Sequence, residues 1–530
     1  MQSNVEQSGF TRSINPATLQ EVGTVRITSP QHIADAFDRA RQAQPQWASL
    51  SYKARANYVL KMADYIRDHA DELAQVISQD NGKLKMDALN TEVIPSIMSC
   101  TWYAKNANKV LKDQIVAPTS LLFANKWSKR VREPIGIIGI VSPWNYPFSI
   151  PLGEIVMALM AGNAVVLKVA TATPLVGEAI ERVVNSSGIP AGVFANFTGS
   201  GPKILNSMLQ HGVNKIFFTG SSSAGKAVMK SCADSLVPCS LELGGNDAMV
   251  VLDDAPIERT VNGGLWAAFQ NTGQSCGGVK RCFVHEKIYD EFVSAATKKT
   301  NALRHGLSGY DSDIGSITTE KQYRTLQQEL QSALDCGAII SAQSTPVGAQ
   351  DGYFLPATLL TDVTTDMPFL QEEIFGPLLP IVKVSSEDEA IAEANKSQYG
   401  LTASVWTRNR RRGFQVAEKL QAGVVCVNDH LYTHGMPQLE WGGVKESGVG
   451  RTHGTQGLLE VTSTKIINVE MLPGMFKRNS WWFPFDERTY KNHLAMTAYE
   501  KPHSVVQWLV LNITILPTAL LRQLRKWNLK

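Results

Sequence analysis

The stretch FQNTGQSCGGVKR sets one cysteine, Cys276, among small and amide residues. No second cysteine stands at the short spacing of a zinc knuckle, so no metal is expected there. Gly273, Gly277 and Gly278 permit close backbone approach, and a thiol exposed at such a turn can have its thiolate stabilised by nearby N–H groups. Two further segments offer complementary groups. LELGGN puts a carboxylate, Glu242, at the end of an apolar run, and PWNYP holds Asn145 in a rigid turn that can fix an amide donor. Taken singly, each fits a plain structural part: a small buried hydrophobe, a turn acid, a turn amide. Their co-occurrence in this order carries more.

The elements that must position them read as α/β. The first hundred residues recur apolar at helical spacing, in HIADAFDRARQAQPQWASL and in YKARANYVLKMADYIRDHADELAQVISQD. From Pro134 the texture changes. PIGIIGIVSPWNYP, NAVVLKVATATP, VNKIFFTGSSSAGKAVMKSCA and CSLELGGNDAMVVLDD each begin as a buried strand, and helices separate them. This alternation predicts a doubly wound parallel sheet that binds ligands at its strand C-terminal ends. After Gly245 a second α/β unit starts: FVHEKIYDEFVSAATKKTNAL as a helix, AIAEANKSQYGLTASVWT as helix then strand, QAGVVCVND as a strand. A boundary near Gly245 would put Glu242 and Cys276 on opposite walls of an interdomain cleft.

The totals set limits. A chain of 530 residues predicts two or three domains. A net charge of +3 argues against nucleic acid as a partner. Seven scattered cysteines fit free thiols in a reducing compartment, and the N-terminus shows no signal-peptide pattern, so a cytoplasmic body is expected. The last sixty residues differ. An apolar run from Val505 to Leu521 is flanked by aromatics and cations. It predicts membrane-surface contact or a partly inserted anchor, with a packing helix as the alternative.

Six ordered segments, PWNYPF, FTGSSSAGK, LELGGN, GQSCGG, EEIFGP and PQLEWGGVKESGVGR, together resemble the aldehyde dehydrogenase superfamily, from about residue 12 to about residue 470. The separation of Glu242 and Cys276 also fits that family. The resemblance implies a Rossmann-like cofactor domain (1–113 and 134–245), a catalytic α/β domain (246–457), and a bridging, dimer-building β element (114–133 and 458–471), with 472–530 as a hydrophobic extension. It implies Cys276 as nucleophile, Asn145 as oxyanion donor and Glu242 as the base that hydrolyses a thioester to a free acid. For the cofactor it implies Gly220 and Ser221 beside the pyrophosphate, Trp144 near the phosphates, Gly244 in the same set, and Glu373 and Phe375 at the nicotinamide ribose and ring. Where many members carry a glutamate that binds the ribose hydroxyls of NAD, this chain has Thr171, with Lys168 kept. A carboxylate there would repel the additional phosphate of NADP, so NADP is expected to be accepted alongside NAD. Tyr146, Ile150 and Gly153 suggest an apolar, roomy tunnel with small Ser275 beside the nucleophile, and Arg281 reads as structural. An apolar medium- or long-chain or aromatic aldehyde is the expected substrate, and a homodimer the expected assembly. Rival readings are a Cys276 thioesterase or esterase without redox chemistry, and a non-catalytic membrane scaffold.

Overall fold

The computed structural model describes residues 9–118, 123, 125–307, 309–471, 479 and 481–499. They form two compact units, one of residues 1–112 and 132–463, the other of residues 113–131 and those from 464 onward.

The first unit carries two large, mostly parallel sheets. The six-stranded sheet has the spatial order Gly448–Val449, Cys239–Glu242, Lys215–Thr219, Ile137–Val141, Ala164–Lys168, Phe194–Phe197. Only the edge pair of Gly448–Val449 with Cys239–Glu242 is antiparallel. The inner strands IIGIV, AVVLK and KIFFT are buried along their whole length. Their alternate residues enter two different cores: Ile138, Ile140, Val165 and Leu167 one, Ile137, Val141, Ala164 and Val166 the other. A strand covered on both faces has no polar side to show, which is why these runs are continuously apolar.

Strand order reverses at Ile137–Val141, which lies between the second strand of the parallel set and the fourth. The crevice beyond the C-terminal ends of such a switch point is where doubly wound sheets bind ligands. The segments leaving those ends are residues 142–146 and 220–221, which hold Trp144, Asn145, Gly220 and Ser221.

The seven-stranded sheet runs Ile339–Gln343, Thr358–Thr361, Leu378–Val384, Val279–His285, Asp247–Val251, Thr402–Trp406, Val424–Val427, parallel except for its first pair. The three-stranded sheet of Thr462–Glu470, Lys126–Pro134 and Gln114–Val116, most of whose residues belong to the second unit, leaves Ile115, Trp127, Ile466, Ile467 and Val469 exposed.

Four local expectations need correction. The chain opens on an antiparallel hairpin, Phe10–Ile14 with Glu21–Arg26, before any helix. The second helical stretch is two helices, Tyr52–Asp68 and Ala70–Asn81, broken at His69. CSLELGGNDAMVVLDD is two strands in two different sheets, because the glycines after Leu243 let the chain cross between them. FVH, taken with the following helix, is the end of the strand Val279–His285. Among the described residues no helix is long and apolar enough to cross a membrane. The apolar run 505–521 lies outside the described residues.

Candidate active site

Register explains how residues 34 positions apart in sequence become neighbours. Asp247 pairs with Val279 across two parallel strands. Glu242 ends the neighbouring sheet five residues before Asp247, and Cys276 sits three residues before Val279. Both residues line one narrow pocket, together with Ile150, Glu154, Thr219, Leu243, Leu401, His434, Trp441, Thr452 and His453. The crossing segment touches the cysteine's backbone, since a Cβ on Gly245 would stand 2.5 Å from the Cys276 carbonyl oxygen.

The turn before Cys276 is strained. Asn271, Thr272 and Gly273 take φ values of 51°, 57° and 68°, three successive left-handed residues, one of them β-branched. Buried groups hold it in place. Lys280 Nζ donates to the Gly273 carbonyl at 2.7 Å, His430 Nε2 meets the Gly277 carbonyl at 2.9 Å, and Thr318 N donates to Gln274 Oε1 at 2.9 Å. Replacing Gly273 would put a Cβ 2.2 Å from the Gly376 carbonyl oxygen. Gly273→Ala is therefore expected to destabilise the protein by about 1–3 kcal/mol, read as a lower denaturant midpoint. An unchanged midpoint would mean the turn relaxes freely.

Asn145 is brought to the same turn. Its Nδ2 donates to the Gln274 carbonyl at 3.1 Å, and its own carbonyl accepts from Lys83 Nζ at 2.8 Å and Asn271 Nδ2 at 3.0 Å. Lys83 is wholly buried against Glu92 at 2.5 Å, and Glu92 Oε2 accepts from the Phe148 and Ser149 amides. A fully buried, hydrogen-bonded ion pair fixes the PWNYP turn at its centre and just past its end. The Cys276 N–H donates to no other group among the described residues.

The electrostatics correct one expectation. Rather than a stabilised thiolate, Cys276 is a half-buried thiol pushed up to about 12, by burial and then by Glu373, Asp247 and Glu242, with Lys280 opposing. Burial also drives Glu242 well above its ordinary range, with Glu154 adding to the effect and Arg451 opposing it. Both Glu242 carboxyl oxygens are buried without a hydrogen-bond partner. An acid so placed stays neutral until a water or a charge reaches it.

The cofactor candidates are spread along the switch-point crevice. Ser221 caps the helix Ser222–Asp234 by accepting from Ala224 N, with Gly220 just before it. Lys168, lowered to about 8 by burial, lies next to Gly201, the first residue of the helix Gly201–Gln210, where a Cβ would be 3.7 Å from its Nζ. A cation beside a helix start is a site for an anion. Thr171 is exposed, and its hydroxyl donates to the Gly199 carbonyl at 3.0 Å. The Trp144 and Phe375 rings meet edge to face with centroids 5.5 Å apart. Glu373 Oε1 accepts from Gly245 N at 3.1 Å, and a Cβ on Gly244 would fall 2.1 Å from Glu373 Oε2. The glycine pair is thus a cradle that any side chain would fill.

The aldehyde dehydrogenase family model matches residues 4–467. The chain belongs to the aldehyde dehydrogenase family. It is 32% identical over 482 residues to 4,4'-diapolycopene aldehyde oxidase of Methylomonas sp, covering 91% of this chain and 89% of that protein. It is 33% identical to a probable succinate-semialdehyde dehydrogenase [NADP(+)] of Sinorhizobium fredii, covering 86% and 92%. Among solved structures, the NAD+ complex of an aldehyde dehydrogenase from Bacillus cereus superposes with a TM-score of 0.83 at 33% identity, covering 87% of this chain and 94% of that one.

In this aldehyde dehydrogenase, part of the pocket wall escaped the sequence reading. His434 packs against Trp441 at 4.8 Å, His453 at 5.0 Å and Tyr146 at 6.4 Å between centroids. Burial depresses the two imidazoles to about 4 and about 3, so the wall is neutral at pH 7. They come from the segment after residue 430, with no pattern that marks them. Glu154 did leave a signal: it is the one charge in the otherwise uncharged, wholly buried helix SIPLGEIVMALMA. Arg281 is structural, as expected, but its partners are the carbonyls of Asn246, Glu393 and Ala394 rather than an acid.

Proposed function

We propose that this enzyme oxidises an apolar aldehyde to its carboxylic acid, with NAD or NADP taking the hydride. The observation that carries the reading is one pocket containing both Cys276 and Glu242, with the Asn145 amide on the turn that presents the cysteine. Cys276 Sγ bonds to the aldehyde carbon as the thiol gives its proton to solvent. The oxygen becomes an oxyanion between Asn145 Nδ2 and the Cys276 N–H, where each such donor contributes about 2.7–4 kcal/mol. NAD(P), when bound, supplies the hydride acceptor that turns this adduct into a thioester. Glu242 then takes a proton from water, whose oxygen attacks the acyl carbon, the C–S bond breaks, and the thiol is restored.

The donor set suits a dinucleotide. Lys168 and the helix start at Gly201 fit an anion, the helix start at Ser221 fits a second, and Glu373 can turn from Gly245 toward hydroxyls. With Thr171 in place of an acid, that position carries no charge against an additional phosphate, and one relative is named for NADP(+). Thr171→Glu is expected to lower kcat/KM for NADP relative to NAD by about tenfold or more, a change of about 1.4 kcal/mol. An unchanged ratio in parallel absorbance assays would remove Thr171 from cofactor choice.

The neutral wall of His434, Trp441, Ile150 and Leu401, with Tyr146 stacked on His434, favours an apolar chain or ring, and Arg281 is spent on carbonyls, leaving it no substrate carboxylate to bind. The reading includes a cytoplasmic homodimer using the exposed apolar residues of the three-stranded sheet, and membrane-surface contact through 472–530. Formation of reduced nicotinamide with medium-chain, aromatic and succinic semialdehydes tests it. Higher kcat/KM for the apolar aldehydes is expected. Preference for succinic semialdehyde would overturn the substrate class, and no signal with any aldehyde would overturn the function.

A further inference from the structure

The pocket holds a second carboxyl that this mechanism does not use. Glu154 projects from the helix Ser149–Ala161, nine residues after Asn145, and lines the pocket together with Glu242 and Cys276. Its relative exposure is 5% and that of Glu242 is 6%, yet no ion pair ties either acid down among the described residues. A lone acid costs stability in a wholly buried helix, so its retention there calls for a partner or a task.

We propose that Glu154 is a positioning residue for thioester hydrolysis: it shares one buried pocket with Glu242, the two acids titrate as a coupled pair, and the pH at which water is activated belongs to the pair. The inference rests on the aldehyde dehydrogenase reading above. Two carboxyls in one dry pocket cannot both ionise freely, so their protons leave in two steps that neither residue owns. Burial holds Glu154 at about 8, and the charge of Glu154 helps raise Glu242. In deacylation the proton from water enters the pair as the water oxygen bonds to the acyl carbon. As the C–S bond breaks, the proton passes to the departing sulfur, restoring the Cys276 thiol. The acid product gives its own proton to solvent.

The surroundings leave the pair little other charge. Arg451 opposes the rise at Glu242, with Nη1 given to the Gly443 and Gly450 carbonyls. Cys276 and the neutral imidazoles of His434 and His453 share the pocket, and Tyr103 faces Glu154 from the helix Ile94–Leu111, with Glu440 acting on the same phenol. Elsewhere around the Glu154 helix the charges are already matched. Glu92 is bonded to Lys83, Glu460 to Lys215, and Arg55 to main-chain carbonyls. Lys215 and Lys226 near the Glu242 strand are paired with Glu460 and Glu446.

The test is the pH profile of deacylation in full-length protein, from steady-state turnover alongside the first-turnover burst of reduced nicotinamide. Glu154→Gln keeps the shape and removes the charge, so its acid limb is expected to move down by about one pH unit with burst amplitude unchanged. Glu154→Asp keeps the charge and is expected to stay near the parent profile. A Glu154→Gln limb that coincides with the parent's, with a normal burst, overturns the coupled titration while leaving the dehydrogenase reading intact. Equal shifts in both variants also overturn it, since charge would then not be the cause. A parent enzyme that forms no reduced nicotinamide overturns the reading beneath.

Discussion

Cys276→Ala is expected to lower aldehyde-dependent nicotinamide reduction by about 10⁴-fold or more, because no other group in the pocket can form the covalent adduct. Six further cysteines exist, but none lines this pocket. Cys282 belongs to the strand behind it, buried and with its thiol raised, and Cys336 is exposed elsewhere. Cys276→Ser is expected to fail as well. Burial and three carboxylates already hold the sulfur near 12, and an alcohol in the same place ionises still less readily. Stability gives the control. Cys276 is half-buried in a turn held by Lys280, His430 and Asn145 through main-chain carbonyls, so either substitution is expected to leave the unfolding midpoint nearly unchanged. Circular dichroism melts beside the absorbance assay separate lost chemistry from lost fold. Turnover by Cys276→Ala within tenfold of the parent would end the thiohemiacetal mechanism.

The architecture was legible where the chain repeats a simple pattern. Buried parallel strands announce themselves because a strand covered on both faces is apolar throughout, as IIGIV and AVVLK show. The crossing inside CSLELGGNDAMVVLDD was only half legible: a boundary was expected near Gly245, but the stretch was read as one strand. Both halves are apolar, and nothing local says that Leu241 and Met249 enter different sheets. The candidate chemical residues came from short motifs and their order; Cys276 and Glu242 line one pocket, and Asn145 bonds to the turn before Cys276. Their electrostatics were not readable from the sequence. Glycines beside a cysteine suggested a stabilised thiolate, but Glu373, Asp247 and Glu242 converge on that sulfur from distant parts of the chain and push the other way. His434 and His453 were missed for the same reason, being single residues in an irregular segment whose place is set by tertiary packing. Lys83, which carries the Asn145 turn, looks in sequence like an ordinary helix-end lysine and is wholly buried.

Glu242→Gln separates the two halves of the reaction. The amide keeps the size of the carboxyl and cannot accept a proton from water, so the thioester should form and persist. A burst of about one reduced nicotinamide per active site is expected, followed by steady turnover lower by about 10²–10⁴-fold. Intact-mass measurement would show the acyl group on Cys276. The pH dependence of the parent has a definite sign. Water is activated by the deprotonated form, and burial lifts the proton affinity of Glu242 well above the ordinary carboxylate range. Deacylation is therefore lost as pH falls through that raised value, at a higher pH than a solvent-exposed glutamate would give, and it recovers as pH rises. In Glu242→Gln this limb should vanish from what turnover is left, because the group that takes the proton from water is gone. The other outcomes are equally readable. Loss of the burst together with turnover would place Glu242 in acylation, as the acceptor of the Cys276 proton. Full turnover in Glu242→Gln would pass the base role to the remaining pocket acid, Glu154.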